Sequence, residues 1–208
     1  MERNSTSKKS DHGDSMKLAI RFTAAFAALG GTLLAAFSLS TAALPEGLPE
    51  GPYRDAGALY ALLFLPAMIC ISGSALGLYY LHPKGGRAIK VVRIAALIAG
   101  ASFFFGTTGF IIAWYVGVVL VYVSILAFVL TGVGLLTART LPSWAGALLA
   151  VTSLLLLGFN TEDSRVLFLV PFGLNWIALA GLLAAGKFRS GGLPSPQATT
   201  IQVQKDQL

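Results

Sequence analysis

The chain has 208 residues, of which 55% are hydrophobic and only 12% charged, and its mean hydropathy is +0.74. A soluble domain carries about 25% charged residues, so a water-facing globule is excluded and the composition is that of an integral membrane protein. A single cysteine, Cys70, rules out an internal disulfide or a cysteine metal cluster, and two histidines, His12 and His82, leave little for a histidine-rich cofactor site.

A bilayer core of about 30 Å takes roughly 20 apolar residues per helix, because every backbone N–H and C=O must be bonded within the segment. Residues 1–17, rich in Ser, Lys, Asp and Gly, cannot bury enough apolar surface to order themselves and are predicted to be a disordered tail. The sequon Asn4-Ser5-Thr6 falls in that tail. The first span is predicted over 18–44. Read from Met16 it resembles a signal sequence, but an apolar run of about 27 residues exceeds the usual 7 to 15, so a retained span is expected.

The segment between the first two spans contains a tandem Leu-Pro-Glu-Gly, Leu44 to Gly51, whose prolines and glycines specify turns and extended chain. Its carboxylates Glu46 and Glu50, with Asp55, are oxygen ligands of the kind a divalent cation takes. A stiff solvated connector is the simpler reading, and no metal site is predicted.

The second span is predicted over 56–81. From Ile89 to Thr137 there are 49 residues whose two charges, Lys90 and Arg93, both lie near the start, about 74 Å of continuous helix at 1.5 Å per residue. That length requires two spans, 89–108 and 113–137. Gly106-Thr107-Thr108-Gly109 and Trp114-Tyr115 are both suitable for the reversal, since paired glycines loosen a helix and Trp and Tyr favour the interface. The fifth and sixth spans are predicted over 141–159 and 166–186, and residues 187–208 form a second polar, disordered tail. The expected fold is therefore all-α: a polytopic membrane protein with six transmembrane helices in a compact bundle.

Thirteen of the fifteen Lys and Arg residues fall on the side shared by both termini, and only Arg54 and Arg165 fall opposite. By the positive-inside rule both termini are cytoplasmic, and an odd number of spans would scramble this partition. Five acids, Glu46, Glu50, Asp55, Glu162 and Asp163, lie outside, so the net +6 divides into about +9 inside and −3 outside.

No ionisable residue falls at mid-span, where a charge is costly and is kept for ion coupling or catalysis. There is no metal-ligand pair, no serine dyad at depth and no phosphate-binding glycine loop, so catalysis is not expected. No cofactor is expected either. His82, beside Lys84 at the inner end of the second span, reads as a solvated interfacial residue, with an axial haem ligand or a pH-sensing group as the functional alternatives.

Pro66 and Pro171 interrupt the second and sixth spans and are expected to kink both in their outer halves, because proline lacks the N–H that would bond Leu62 and Leu167. Asn175, one turn past Pro171, is the strongest neutral polar side chain at depth. With Pro171, Pro66, Trp176 and Cys70 it defines the candidate solute path or helix-packing site. An interhelical hydrogen bond is the structural alternative for Asn175, and packing is the alternative for Cys70.

Small residues four apart, such as Gly73 and Gly77, permit the close approach by which membrane helices associate. Ala27/Gly31, Gly146/Ala150 and Gly181/Ala185 repeat the pattern, within the monomer or between copies. Residues 31–39 and 146–154 match at six of nine positions, and each is followed by an acidic loop and a span with Leu-Phe-Leu before proline. Three parallel two-helix repeats fit this better than two inverted halves.

Two functions follow as expectations. The first is a non-catalytic accessory, assembly or lipid-organising protein acting through helix contacts, with membrane lipids, another membrane protein or a second copy as partner and no nucleic acid. The alternative is a facilitator for a small neutral or weakly polar solute. The expected location is the plasma or bacterial inner membrane.

Overall fold

The computed structural model of the protein describes residues 5–45, 56–82, 85–160 and 163–189. Among them there is no strand. Six helices run in chain order: α1 (Ser5–Ala42), α2 (Gly57–Leu81), α3 (Arg87–Ile112), α4 (Trp114–Ala138), α5 (Ser143–Gly158) and α6 (Ser164–Ala184). Five are long and apolar enough to cross a membrane, and α5 is the shorter sixth. This is the helical membrane bundle that the apolar runs require.

The tandem Leu-Pro-Glu-Gly, apart from Leu44 and Pro45, lies outside the described residues, as do Asn4 and the C-terminal segment from Ser190. At the other end α1 continues back to Ser5, through a segment whose composition predicts a disordered tail. Helix nucleation is the costly step and propagation is not, so a long apolar span templates turns that the polar residues alone would not nucleate.

The reversal between the third and fourth spans is one extended residue, Ala113, with φ −153° and ψ 103°, immediately before Trp114-Tyr115. α3 runs on through Gly106 to Gly109 instead of breaking there. Gly106 faces Leu120 and Val121 of α4, and Gly134 faces Val92. The glycine serves close approach within an antiparallel hairpin, and the interfacial aromatic pair marks the turn.

Consecutive helices pack side by side and α6 closes back onto α1, giving a ring whose least extensive contact is α5 with α6. Glycine supplies the close approach at every other junction. Gly30 and Gly77 lie between α1 and α2, against Cys70 and Thr23, and Gly100 meets the Ser72 carbonyl between α2 and α3. Gly132 and Gly146 face each other between α4 and α5, as Gly31 and Gly173 do between α6 and α1.

The centre of the ring is filled by aromatic rings from three helices. Phe128 of α4 lies 5.3 Å from Phe103 of α3, 5.5 Å from Phe172 of α6 and 5.8 Å from Trp176 of α6, all edge-to-face. Edge-to-face pairs at this range add about 0.5–1.5 kcal/mol each beyond area burial. The outward surface is leucine, isoleucine, valine and phenylalanine, including Leu29, Leu62, Ile94, Phe105, Val119, Leu126 and Leu174. In a bilayer that surface faces lipid.

Candidate functional site

The two prolines mark changes of helix type. In α2, residues Tyr60–Phe64 form a π-helical turn in which the Leu65 N–H donates to the Tyr60 carbonyl, and Pro66 follows at the start of the α-helical Leu65–Leu81. A five-residue hydrogen bond widens the helix just where proline removes a donor. In α6, Ser164–Phe168 is a 3₁₀ turn, and Pro171 falls in the first turn of the α-helical Leu169–Ala184, where a missing N–H costs least. Where kinks are expected in the outer halves of the two spans, the structure has changes of helix type, a π turn in α2 and a 3₁₀ turn in α6.

The wider turn at Tyr60–Phe64 is held by rings, with Phe37 of α1 at 5.0 Å from Tyr60 and 4.9 Å from Phe64. Ser38 of α1 donates to the Val166 carbonyl at 2.7 Å, tying α1 to the 3₁₀ turn of α6. Both proline-bearing spans therefore lean on α1.

Asn175 is 3% exposed, and neither its Oδ1 nor its Nδ2 has a hydrogen-bond partner. It shares a buried face of α6 with Phe172 and Leu179, one turn to either side. The interhelical hydrogen bond expected from the sequence is not made. Trp176 is fully buried among Phe128 and Phe172, and its Nε1 likewise has no acceptor. Leaving a buried amide unpaired costs roughly 1–3 kcal/mol per group.

Cys70 is a buried free thiol that meets Gly30 at the α1–α2 crossing, well placed as a packing residue. Of the Gly73/Gly77 pair, Gly77 is pressed against Thr23, whereas a Cβ added at Gly73 would stand 3.6 Å from the Phe26 ring, an ordinary contact distance. That pair faces α1 of the same chain. A Cβ added at Gly181 would by contrast meet nothing within 4 Å. The sequence-predicted residues are thus divided: Asn175, Trp176 and Pro171 share α6, while Pro66, Cys70, Gly73 and Gly77 follow one another along α2.

The feature that sequence reasoning missed is at the basic end. His82, directly after α2, is 1% exposed. Its Nδ1 lies 2.7 Å from the Leu78 carbonyl and its Nε2 2.8 Å from the Thr140 hydroxyl. A carbonyl can only accept, so Nδ1 carries the proton and Nε2 accepts from Thr140. The Thr140 carbonyl in turn accepts from the Arg189 backbone N–H at 2.8 Å, and Phe188 stands edge-on to the imidazole at 5.2 Å.

Arg139, left-handed at φ 52°, ends α4 and delivers Thr140 to this position. One histidine therefore joins the end of α2, the α4–α5 connection and the segment after α6. It is a structural joint, not a solvated side chain. Burial pushes the His82 pKa down, the hydrogen bond to the Leu78 carbonyl pulls it up by less, and the nearby Arg93 charge adds a still smaller downward push.

Among the described residues, no group of three or more His, Cys, Asp or Glu side chains could hold a metal ion. At the acidic end Asp163 caps the 3₁₀ turn and pairs with Arg165 at 2.8 Å. Both are largely exposed, and the pair closes the turn locally. No family model matches the chain, and no curated protein or solved structure is significantly similar to it.

Proposed function

We propose that this protein is a non-catalytic component of the plasma or bacterial inner membrane, acting as an accessory, assembly or lipid-organising factor through contacts of its helices within the bilayer. One observation carries the reading. The ring interior is occupied by Phe103, Phe128, Phe172 and Trp176 and its seams are drawn tight by glycines, so the extensive surface left for recognition is the apolar exterior. Association there depends on van der Waals fit and on small residues such as Gly181, whose α6 face is open.

The test is affinity purification of the full chain in mild detergent, followed by mass spectrometry of co-eluting proteins and lipids. A stoichiometric membrane-protein partner or a selectively enriched lipid is expected. A partnerless preparation that passes a neutral solute in liposomes would replace this reading.

A second reading rests on Asn175, since an amide with both atoms unpaired inside the bundle is what a weakly polar solute would meet. The two readings diverge at Asn175→Leu. As a residue without a partner, its replacement by leucine removes a desolvation cost, and the variant is expected to be about 1–3 kcal/mol more stable, read as a higher unfolding midpoint in detergent. A facilitator would lose its flux in the same variant while keeping its fold. A scaffold has no flux to lose.

A further inference from the structure

Arg93 lies six residues into α3 from Arg87, about 9 Å along the helix axis at 1.5 Å per residue. It therefore sits deeper than the loop cations at the same end. Its guanidinium carbon is 4.8 Å from the centre of the Tyr79 ring, in the last turn of α2. This contact fixes one face of the group, since a cation is drawn to an aromatic face. Its Nε is buried and has no acceptor.

Lys90, one turn nearer the basic end of α3, is exposed, and Tyr80 beside Tyr79 is 71% exposed. Among the residues with described side chains the basic end holds Lys17, Arg21, Arg87, Lys90, Arg93, Arg139, Lys187 and Arg189, and the one carboxylate is Asp163 at the opposite end. The chain's described residues thus supply a held, forked donor at depth without the anion it would bond.

We propose that Arg93, with Lys90 beside it and Tyr79 beneath it, binds the phosphate of an anionic phospholipid in the leaflet at the basic end. A guanidinium matches a phosphate through two parallel N–H···O bonds, and the hydration it loses at this depth makes such a bond stronger than one at the open surface. By the positive-inside rule the basic helix ends belong at the cytoplasmic leaflet, which is the anionic one and brings lipid phosphates to the level of those ends. Lys90 adds the second charge that separates an anionic headgroup from a zwitterionic one. This site rests on the lipid-organising part of that reading and names its lipid class, and the Arg93 and Lys90 variants separate its failure from failure of the reading as a whole.

The test is native mass spectrometry of the full chain released from mixed micelles titrated with phosphatidylglycerol or phosphatidylcholine. The wild type is expected to retain one phosphatidylglycerol about tenfold more tightly than phosphatidylcholine. Arg93→Gln is expected to abolish that preference, and Arg93→Lys to restore it only in part because the fork is lost. Lys90→Gln, an exposed change that leaves the fold intact, is expected to weaken retention severalfold, and Lys187→Gln to leave it unchanged. Equal loss in Lys187→Gln and Lys90→Gln would overturn the proposal in favour of diffuse net charge. A wild type that prefers neither lipid would overturn it as well.

Discussion

Gly146→Leu is expected to abolish assembly of the bundle, and Gly146→Ala to destabilise it by about 1–3 kcal/mol, the usual cost of overpacking a filled interior. A Cβ at Gly146 would stand 2.6 Å from the Gly132 carbonyl oxygen and 2.7 Å from the Leu136 nitrogen, and a Cβ at Gly132 would stand 2.6 Å from both the Gly146 carbonyl and the Ala150 nitrogen. The obstructing atoms are backbone, which cannot swing aside as a flexible side chain would. Relief therefore requires α4 and α5 to separate along the seam.

This seam matters more than its neighbours. α5 is the shortest helix and its contact with α6 is the least extensive in the ring, so most of what holds α5 is its approach to α4. Losing it opens the ring. Gly181→Ala, where nothing lies within contact distance, is the control, and its unfolding midpoint is expected to match the wild type. A Gly146→Ala midpoint equal to that of Gly181→Ala would mean that the two backbones do not approach as closely as this geometry requires.

The same geometry explains what could and could not be foreseen from the residues. The spans were readable because lipid imposes a length and an apolarity that few other demands mimic. The reversal at Ala113 is readable only as one of two alternatives, because Gly106 and Gly109 offer a break that the chain does not use while Trp114-Tyr115 marks the one it does. A glycine inside an apolar run looks the same whether it loosens a helix or admits a neighbour, and here Gly106 admits Leu120 and Val121. The small-residue pairs have the same ambiguity, and Gly73 and Gly77, four residues apart, differ in how tightly they are pressed.

The ring also bears on the likeness between residues 31–39 and 146–154. Gly31 of α1 packs on α6, Gly100 of α3 on α2, and Gly146 of α5 on α4. Each odd-numbered helix thus offers a glycine to the even-numbered helix behind it. That is the arrangement three successive hairpins would produce, and the middle hairpin keeps the contact although its sequence does not match. Pro66 and Pro171 fit the scheme less well, since one follows a π turn and the other a 3₁₀ turn.

The burial of His82 has a physical cause that local sequence cannot supply. Beside Pro83 and Lys84 it has the neighbours of a solvated residue, while the partner that buries it, Thr140, is 58 positions away. Its expected consequence is a loss of stability in mild acid. Buried in the joint, the imidazole already donates from Nδ1 to Leu78 and accepts at Nε2 from the Thr140 hydroxyl. A second proton at Nε2 would turn that acceptor into a donor, force the Thr140 hydroxyl to find another acceptor, and place a positive charge in a dry site facing Arg93 of α3.

The described charges around the joint are all of one sign: Arg93 on α3, Arg139 next to Thr140, and Lys187 and Arg189 flanking Phe188. The folded protein therefore holds a proton on His82 less readily than the unfolded chain does, and the folded-state pKa lies below the ordinary value of 6.5. Because the unfolded state binds more protons in that interval, stability rises with pH there. The full contribution of neutral His82 is present above about pH 6.5 and is lost as the pH falls from there through the folded-state pKa. Unfolding midpoints measured from pH 8 to pH 5 are expected to fall in the wild type and to fall much less in His82→Gln, which keeps hydrogen-bonding capacity without a titratable proton. His82→Ala is expected to lose about 2–4 kcal/mol at neutral pH, since it empties the joint and strands both the Leu78 carbonyl and the Thr140 hydroxyl. A wild type and a Gln variant with parallel pH profiles would show that the joint does not sense protons, whatever its share in holding the ends of α2, α4 and α6 together.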